Sequence, residues 1–415
     1  MLNRRLVPFL LGLSLVGLTP RHAWAAPAFQ NPASAAGGVV FDFDRAAYTP
    51  AVLRMSVSSS GGESGMSQVN LTLIPPTGEV VGKRVEVSTP FLAGQLRNLY
   101  TQLARQDPLD LDSPDAPARQ LYQLLIAPVR DDLERLGVTT LLISADAGLQ
   151  AIPFAALHDG RTFLGERFAF SVTPSLELTS LAPPSAPESG PRQLAAGASR
   201  FESLAPLPLV PQEVARVERG RGDQRFLDRT FTPDVLFQQA GDPAVKRVHV
   251  ATHAEFLPGG PENSRLYTGT GPVDLSQFAQ LRQRRGGVPL DLFTLSACRT
   301  ALGDKDSELG FAGLALQAGA RSAIGTLWYV DDVATSAFFV QFYRYLDQGL
   351  PKAEALQATR IAMATGAIRM EGDRVIGPDG VTLLEGLTPN QQRRIAGGLD
   401  HPYFWSGISL LGTPW

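Results

Sequence analysis

Apolar and polar positions alternate in the first third of the chain. Val69 to Ile74 reads VNLTLI and Lys83 to Val87 reads KRVEV, the period of strands with one covered face. Together with Val52 to Val57 they predict strands over 52–57, 69–74 and 80–87, with Pro75-Pro76-Thr77-Gly78 as the turn between the last two. The spacing then becomes helical. Phe91, Leu92, Leu96, Leu99 and Leu103 place a helix over 91–104, and 120–136 reads as a second. Val138 to Ser144 (VTTLLIS) is a short buried strand.

Beyond residue 192 whole elements alternate. Strands are predicted at 193–197, 225–228, 247–252, 290–295, 322–327 and 404–411. Helices fall between them at 210–219, 233–239, 309–318, 332–346 and 352–364. Apolar strands separated by helices of this length predict an α/β fold with a mostly parallel sheet covered on both faces. Ala182 to Arg192 (APPSAPESGPR) holds four prolines in 11 residues and reads as a linker. It divides the chain into regions 39–181 and 193–415.

The amino terminus reads as an export signal. MLNRR is a short basic start, and Leu6 to Leu18 is an apolar run of 13 residues, too short to span a bilayer. Ala23-Trp24-Ala25 follows, so residues 1–25 are a predicted signal peptide cut after Ala25, and 26–38 a flexible leader. The expected location is periplasmic or extracellular. No other stretch approaches 18 apolar residues, so no membrane span is expected after signal removal. Hydrophobic residues make up 44% of the 415, enough for a real core. Without the signal's three arginines, 34 basic residues face 40 acidic ones. That balance gives no broad footprint for nucleic acid. A single cysteine, Cys298, excludes an intrachain disulfide framework and a Cys-rich zinc module.

That cysteine and one histidine are the candidates for chemistry. His249 to Phe256 reads HVATHAEF, and Leu292 to Gly303 reads LFTLSACRTALG. Each apolar strand run ends just before a reactive side chain, His253 or Cys298. Parallel α/β sheets carry their reactive groups at the carboxyl ends of strands. A free thiol is only about 3% thiolate at pH 7, so it needs a nearby imidazole to activate it and to protonate a leaving amine. The backbone amides of Cys298 and Ala254 are the natural oxyanion donors. The competing view is that Cys298 is a small buried hydrophobe. His249 and His253 lack the glutamate of HExxH and sit in a strand, which argues against zinc. His158 and His401 sit beside turn residues and read as structural. There is no GxSxG elbow, no complete phosphate loop and no dinucleotide fingerprint, so no cofactor is expected. The acidic loop Asp304 to Glu308 (DKDSE) lacks the glycine and spacing of an EF-hand, so no metal is expected either.

At HVATHAEF and LFTLSACRTALG the sequence resembles the CHAT family, caspase-like proteins related to separase and often associated with TPR repeats. The likeness continues in Gly310 to Asp332 (GFAGLALQAGARSAIGTLWYVDD), Gly349 to Arg360 (GLPKAEALQATR), His401 to Gly412 (HPYFWSGISLLG) and Leu141 to Gly160 (LLISADAGLQAIPFAALHDG). It covers nearly all of residues 37–415. The resemblance implies a caspase-like three-layer sandwich of two lobes, non-catalytic over 39–181 and catalytic over 193–415. It implies a cysteine endopeptidase with a His253 and Cys298 dyad, backbone oxyanion donors at Ala254 and Cys298, and a protein or peptide substrate. An activator, unidentified, fits many peptidases of this type. In separase-like relatives an acidic residue in the region of Asp331 and Asp332 receives a basic side chain of the substrate. The alternative for this pair is the cap of the following helix.

Two residues depart from the family pattern: Ala254 stands where glycine is usual, and Arg299 where glutamate is frequent. A silent caspase-like interaction module is the alternative to a peptidase. Segment 366–399, with a turn at Gly377-Pro378-Asp379-Gly380, reads as a substrate-facing loop or as an insertion.

Overall fold

The computed structural model describes residues 49–59, 65–146, 149–173, 176, 179, 191–218, 222–255, 263–297, 310–328 and 331–415. The predicted signal peptide, the predicted leader and residues 182–190 of the predicted linker lie outside them. The chain opens with an antiparallel meander, β1 (Pro50–Ser59), β2 (Met66–Ile74) and β3 (Val81–Ser88). In β2 every second side chain is buried, as the VNLTLI alternation requires. α1 (Thr89–Arg105) buries Leu92, Leu96, Leu99 and Leu103 on one face. The helix expected over 120–136 is two helices, α2 (Pro117–Leu125) and α3 (Ala127–Arg135). Pro128 explains the break, because it has no N–H for the ladder and its ring collides with the preceding turn. β4 (Thr140–Ala145), α4 (Leu164–Arg167) and β5 (Ala169–Thr173) complete this half.

The second half alternates as expected: β6 (Arg192–Gly197), α5 (Val210–Val217), β7 (Gln224–Leu227), α6 (Pro233–Ala240) and β8 (Val245–Ala251). Three short strands, β9 (Ala254–Glu255), β10 (Arg265–Tyr267) and β11 (Pro272–Asp274), form a small antiparallel sheet. Then come α7 (Gln280–Arg284), β12 (Leu290–Ser296), α8 (Gly310–Gln317), β13 (Ala320–Thr326), α9 (Asp332–Asp347) and α10 (Lys352–Ala364). A second small sheet, β14 (Arg369–Glu371), β15 (Arg374–Ile376) and β16 (Thr382–Leu384), precedes α11 (Pro389–Arg394). The last strand, β17 (Ile408–Gly412), is shorter than the expected 404–411, since Pro402–Phe404 is a 3-10 turn capped by His401.

The fold is α/β, built on one 11-stranded sheet in the order β3-β2-β1-β4-β5-β17-β13-β12-β8-β6-β7. Seven of its pairings are parallel. Only β3–β2, β2–β1 and β17–β13 are antiparallel. The halves on either side of the Pro-rich stretch therefore share a sheet. They meet where β17, the last strand in the chain, lies parallel to β5 with Leu411 opposite Val172.

Segment 366–399 covers α9. That helix is buried on nearly every face, including Phe338, Phe339, Phe342 and Tyr343. Its outer side packs on β16, whose Leu383 and Leu384 are buried in the same core. The expected turn forms: Gly377 N donates to Val381 O at 2.8 Å, and Gly380 takes φ +76°. Beneath α9, Glu213 of α5 accepts from Ser336 Oγ at 2.6 Å and lies 2.9 Å from His249 Nε2. This buried cluster locks α5, β8 and α9 together.

Glu354 of α10 has one carboxyl oxygen bonded to Thr140 Oγ1 and the other enclosed without a partner. Burial pushes its carboxyl above the usual range. The folded state thus binds its proton more tightly than the unfolded chain does, and stability falls as pH rises from the unfolded pKa through the folded one. Glu354→Gln is expected to add about 1 kcal/mol at pH 8 and little near pH 4. Melting curves of both proteins at the two pH values check this, and an equal difference at both would show no buried-acid cost.

Candidate active site

β8 and β12 are parallel neighbours, in register from Leu292 opposite Arg247 to Ser296 opposite Ala251. The pairing runs one step further, with Thr252 N donating to Ser296 O at 3.2 Å. His253 follows at once. On β12, Ala297 is buried and its carbonyl accepts from Thr326 Oγ1 at 2.8 Å. The end of β12 is therefore pinned to that of β13. Cys298, including its backbone amide, lies outside the described residues, as do Arg299 and the DKDSE loop. In sequence Cys298 follows Ser296 by the same two residues by which His253 follows Ala251.

The imidazole of His253 is held from the β6 side. Its Nε2 lies 2.8 Å from Ala205 O, and its ring sits 4.8 Å from that of Phe201. A carbonyl only accepts, so Nε2 carries the proton and Nδ1 of the neutral ring is left as the basic atom. Ala205 and Phe201 lie in the connection from β6 to α5. Its path is set by Gly197, where a Cβ would come 2.5 Å from Val210 Cγ1 and 2.8 Å from Ala251 O. No residue-type signal betrays a backbone carbonyl, so this support was not readable from sequence.

Ala254 begins β9 opposite Leu266. Its φ is not positive, so alanine in place of glycine carries no backbone strain. Tyr267 N donates to His253 O at 3.0 Å, which makes His253 and Tyr267 a hydrogen-bonded pair. Ala254 and Leu266 are then a non-bonded pair, and the Ala254 N–H is directed away from β10.

The other described histidines are structural. His249 is fully buried in the Glu213 cluster, His158 Nδ1 accepts from Gly160 N, and His401 bonds Asp107 O and Tyr403 N. Among the described residues no group of three or more His, Cys, Asp or Glu is placed to hold a metal ion.

Asp331 and Asp332 open α9, beyond the carboxyl end of β13. Asp331 caps the helix, its Oδ1 accepting from Val333 N at 2.9 Å and Ala334 N at 3.3 Å. Both acids also meet Arg394 of α11. Its Nε lies 2.6 Å from Asp331 Oδ2, and its Nη2 bonds Asp332 Oδ1. Burial and the neighbouring Asp331 charge raise the Asp332 carboxyl, and Arg394 opposes this. Burial alone would lower the Arg394 guanidinium, but its bonds and attraction to the two acids hold it above its ordinary value.

A CHAT domain profile matches residues 115–413, and the chain belongs to that family. No curated protein sequence matches it. Among solved structures it is similar to the separase of a Saccharomyces cerevisiae separase–securin complex, at 10% identity and a TM-score of 0.49, over 89% of this chain. It spans only 30% of the separase chain. It is also similar to the Arg-specific cysteine proteinase gingipain R, at 9% identity and a TM-score of 0.41, over 78% of this chain and 75% of the other. A complex of Porphyromonas gingivalis RgpB pro- and mature domains gives 10% and 0.42, over 78% of this chain and 76% of that one. Among the described residues no helix is long and apolar enough to cross a membrane.

Proposed function

We propose that the chain is an exported CHAT-family cysteine endopeptidase acting through Cys298 and His253. The register of β8 and β12 supports this reading, because these adjacent parallel strands end together at Ala251 and Ser296, and His253 and Cys298 each follow by two residues in sequence. Family membership supports it. In this reading the caspase-like sandwich has three layers, with a supporting lobe over 39–181, a linker over 182–192 and a catalytic lobe over 193–415. The signal over 1–25 takes the chain to the periplasm or beyond.

His253 Nδ1 takes the thiol proton as Cys298 sulfur attacks the peptide carbonyl. The amides of Ala254 and Cys298 receive the oxyanion. The tetrahedral adduct collapses to a thioester, and the imidazolium passes its proton to the departing amine. Water, deprotonated by the same imidazole, then hydrolyses the thioester and restores the thiol.

Asp331 and Asp332 are the proposed receptor for a basic side chain next to the scissile bond. A peptide library digested with the reduced mature protein and with Cys298→Ala, read by mass spectrometry, tests the peptidase. Cleavage by the parent alone supports it, and cleavage by both removes it. Where both are silent, labelling of Cys298 by a thiol-reactive peptide probe favours a latent enzyme, and absence of labelling favours the interaction module. Asp331→Ala should cost about 1 kcal/mol through the lost cap and also abolish any preference for Arg or Lys. An unchanged preference at the cut sites would remove the acidic receptor.

A further inference from the structure

Arg394 stands in the place that the proposed reading of Asp331 and Asp332 gives to a substrate side chain. The two carboxylates are recessed, their side chains 10% and 25% exposed, whereas Arg394 is 39% exposed and reaches them from outside. Asp331 does not need the arginine for its structural role. Its Oδ1 caps α9, and it is Oδ2 that takes the guanidinium. The contact is thus separable from the helix it sits on.

The backbone beside the arginine is anchored by groups other than its guanidinium. Ile395 and Leu399, just after it, are buried in the main core, and Gln391 reaches Asp332 Oδ2 at 3.4 Å. Across the same covering segment, Arg216 donates to Thr382 O at 2.7 Å and Gln212 to Glu385 O at 2.8 Å. The segment therefore stays docked when Arg394 rotates away. An internal group tethered this closely competes at an effective concentration of about millimolar or more.

We infer that Arg394 is an internal competitor that keeps the acidic pair filled, so that a substrate arginine must displace it to bind. This rests on the proposed role of the pair in receiving a basic side chain. The ligand class it names is a guanidinium on a flexible stem, of which Arg394 is itself one. A carboxylate pair offers parallel acceptors that suit the planar fork of arginine.

Agmatine is the probe, titrated by calorimetry into Cys298→Ala protein, which requires no catalysis. Arg394→Gln and Arg394→Met in that background should bind agmatine at least tenfold more tightly than Arg394 protein. Arg394→Lys, which keeps a cation on the acids, should stay within about threefold of it. Melting curves select the variants that remain folded, and with the arginine so exposed both neutral ones should. Equal affinity in all forms, or no agmatine binding in any, would overturn the inference. The peptidase reading fails separately. Tighter agmatine binding, in a protein whose parent form neither cleaves peptide nor takes the thiol-reactive probe at Cys298, would remove the peptidase and keep the competitor. Cleavage without any effect of Arg394 would do the reverse.

Discussion

Replacement of His253 by alanine should lower kcat/KM for peptide cleavage by about 10³-fold or more, and Cys298→Ala should lower it at least as far. In the proposed mechanism the two groups act as one unit. Without the imidazole the thiol attacks only through its small ionised fraction, and the leaving amine departs without a proton. Without the thiol there is no nucleophile, whatever the imidazole does. The double variant should therefore be no worse than Cys298→Ala alone. His253 is held by Ala205 O and Phe201 rather than by the main core, so its loss should leave the fold intact. Steady-state kinetics on purified variants, with melting curves as control, check this. If His253→Ala retained parent activity, the ring would be only a structural partner of Ala205, and another base would be required.

Much of this arrangement was legible along the chain, because strand and helix periods are local. The alternation in VNLTLI, the apolar LDLFTL run and the helical spacing over Lys352–Ala364 each set one element with its covered face. What escaped was nonlocal. β5 (AFSVT) is buried at every position, so it has no alternating signature, and its placement depends on pairing with β4 and β17. The all-round burial of α9 could not be read from the helix alone, since its outer cover is supplied by a segment some 35 residues later. At the site, the apolar runs of β8 and β12 that precede His253 and Cys298 in sequence were legible, while Cys298 itself lies outside the described residues. The Ala205 carbonyl and the Arg394 contact were not legible. One is a backbone group, and the other pairs residues more than 60 apart.

Arg285 should prove the most costly single side chain to remove from the second half of the fold. It is 2% exposed, and its guanidinium meets five backbone carbonyls. Nη1 donates to Ala240 O at 2.7 Å and Asp242 O at 2.9 Å. Nη2 donates to Val245 O at 2.9 Å and Pro289 O at 3.3 Å, and Nε to Val288 O at 3.0 Å. These carbonyls end α6, begin β8 and lead into β12. One side chain thus ties the amino ends of the strands that lead to His253 and Cys298. Truncation to alanine would bury acceptors without donors at about 1–3 kcal/mol each, softened where water can enter. An overall loss of about 3–5 kcal/mol follows, a large share of the stability of an ordinary domain. Arg285→Lys should recover only part of it, since an ammonium cannot span carbonyls arranged around a planar fork. The loss should fall on stability and not on chemistry. The seven residues of β8 separate Arg285 from His253 by roughly 23 Å at the usual rise per strand residue. Urea titrations of Arg285→Ala and Arg285→Lys should therefore show lowered midpoints, while kcat/KM per folded molecule matches the parent. A drop in kcat/KM of the folded fraction would instead mean that the strand ends move with their bases, and that the dyad geometry depends on this distant arginine.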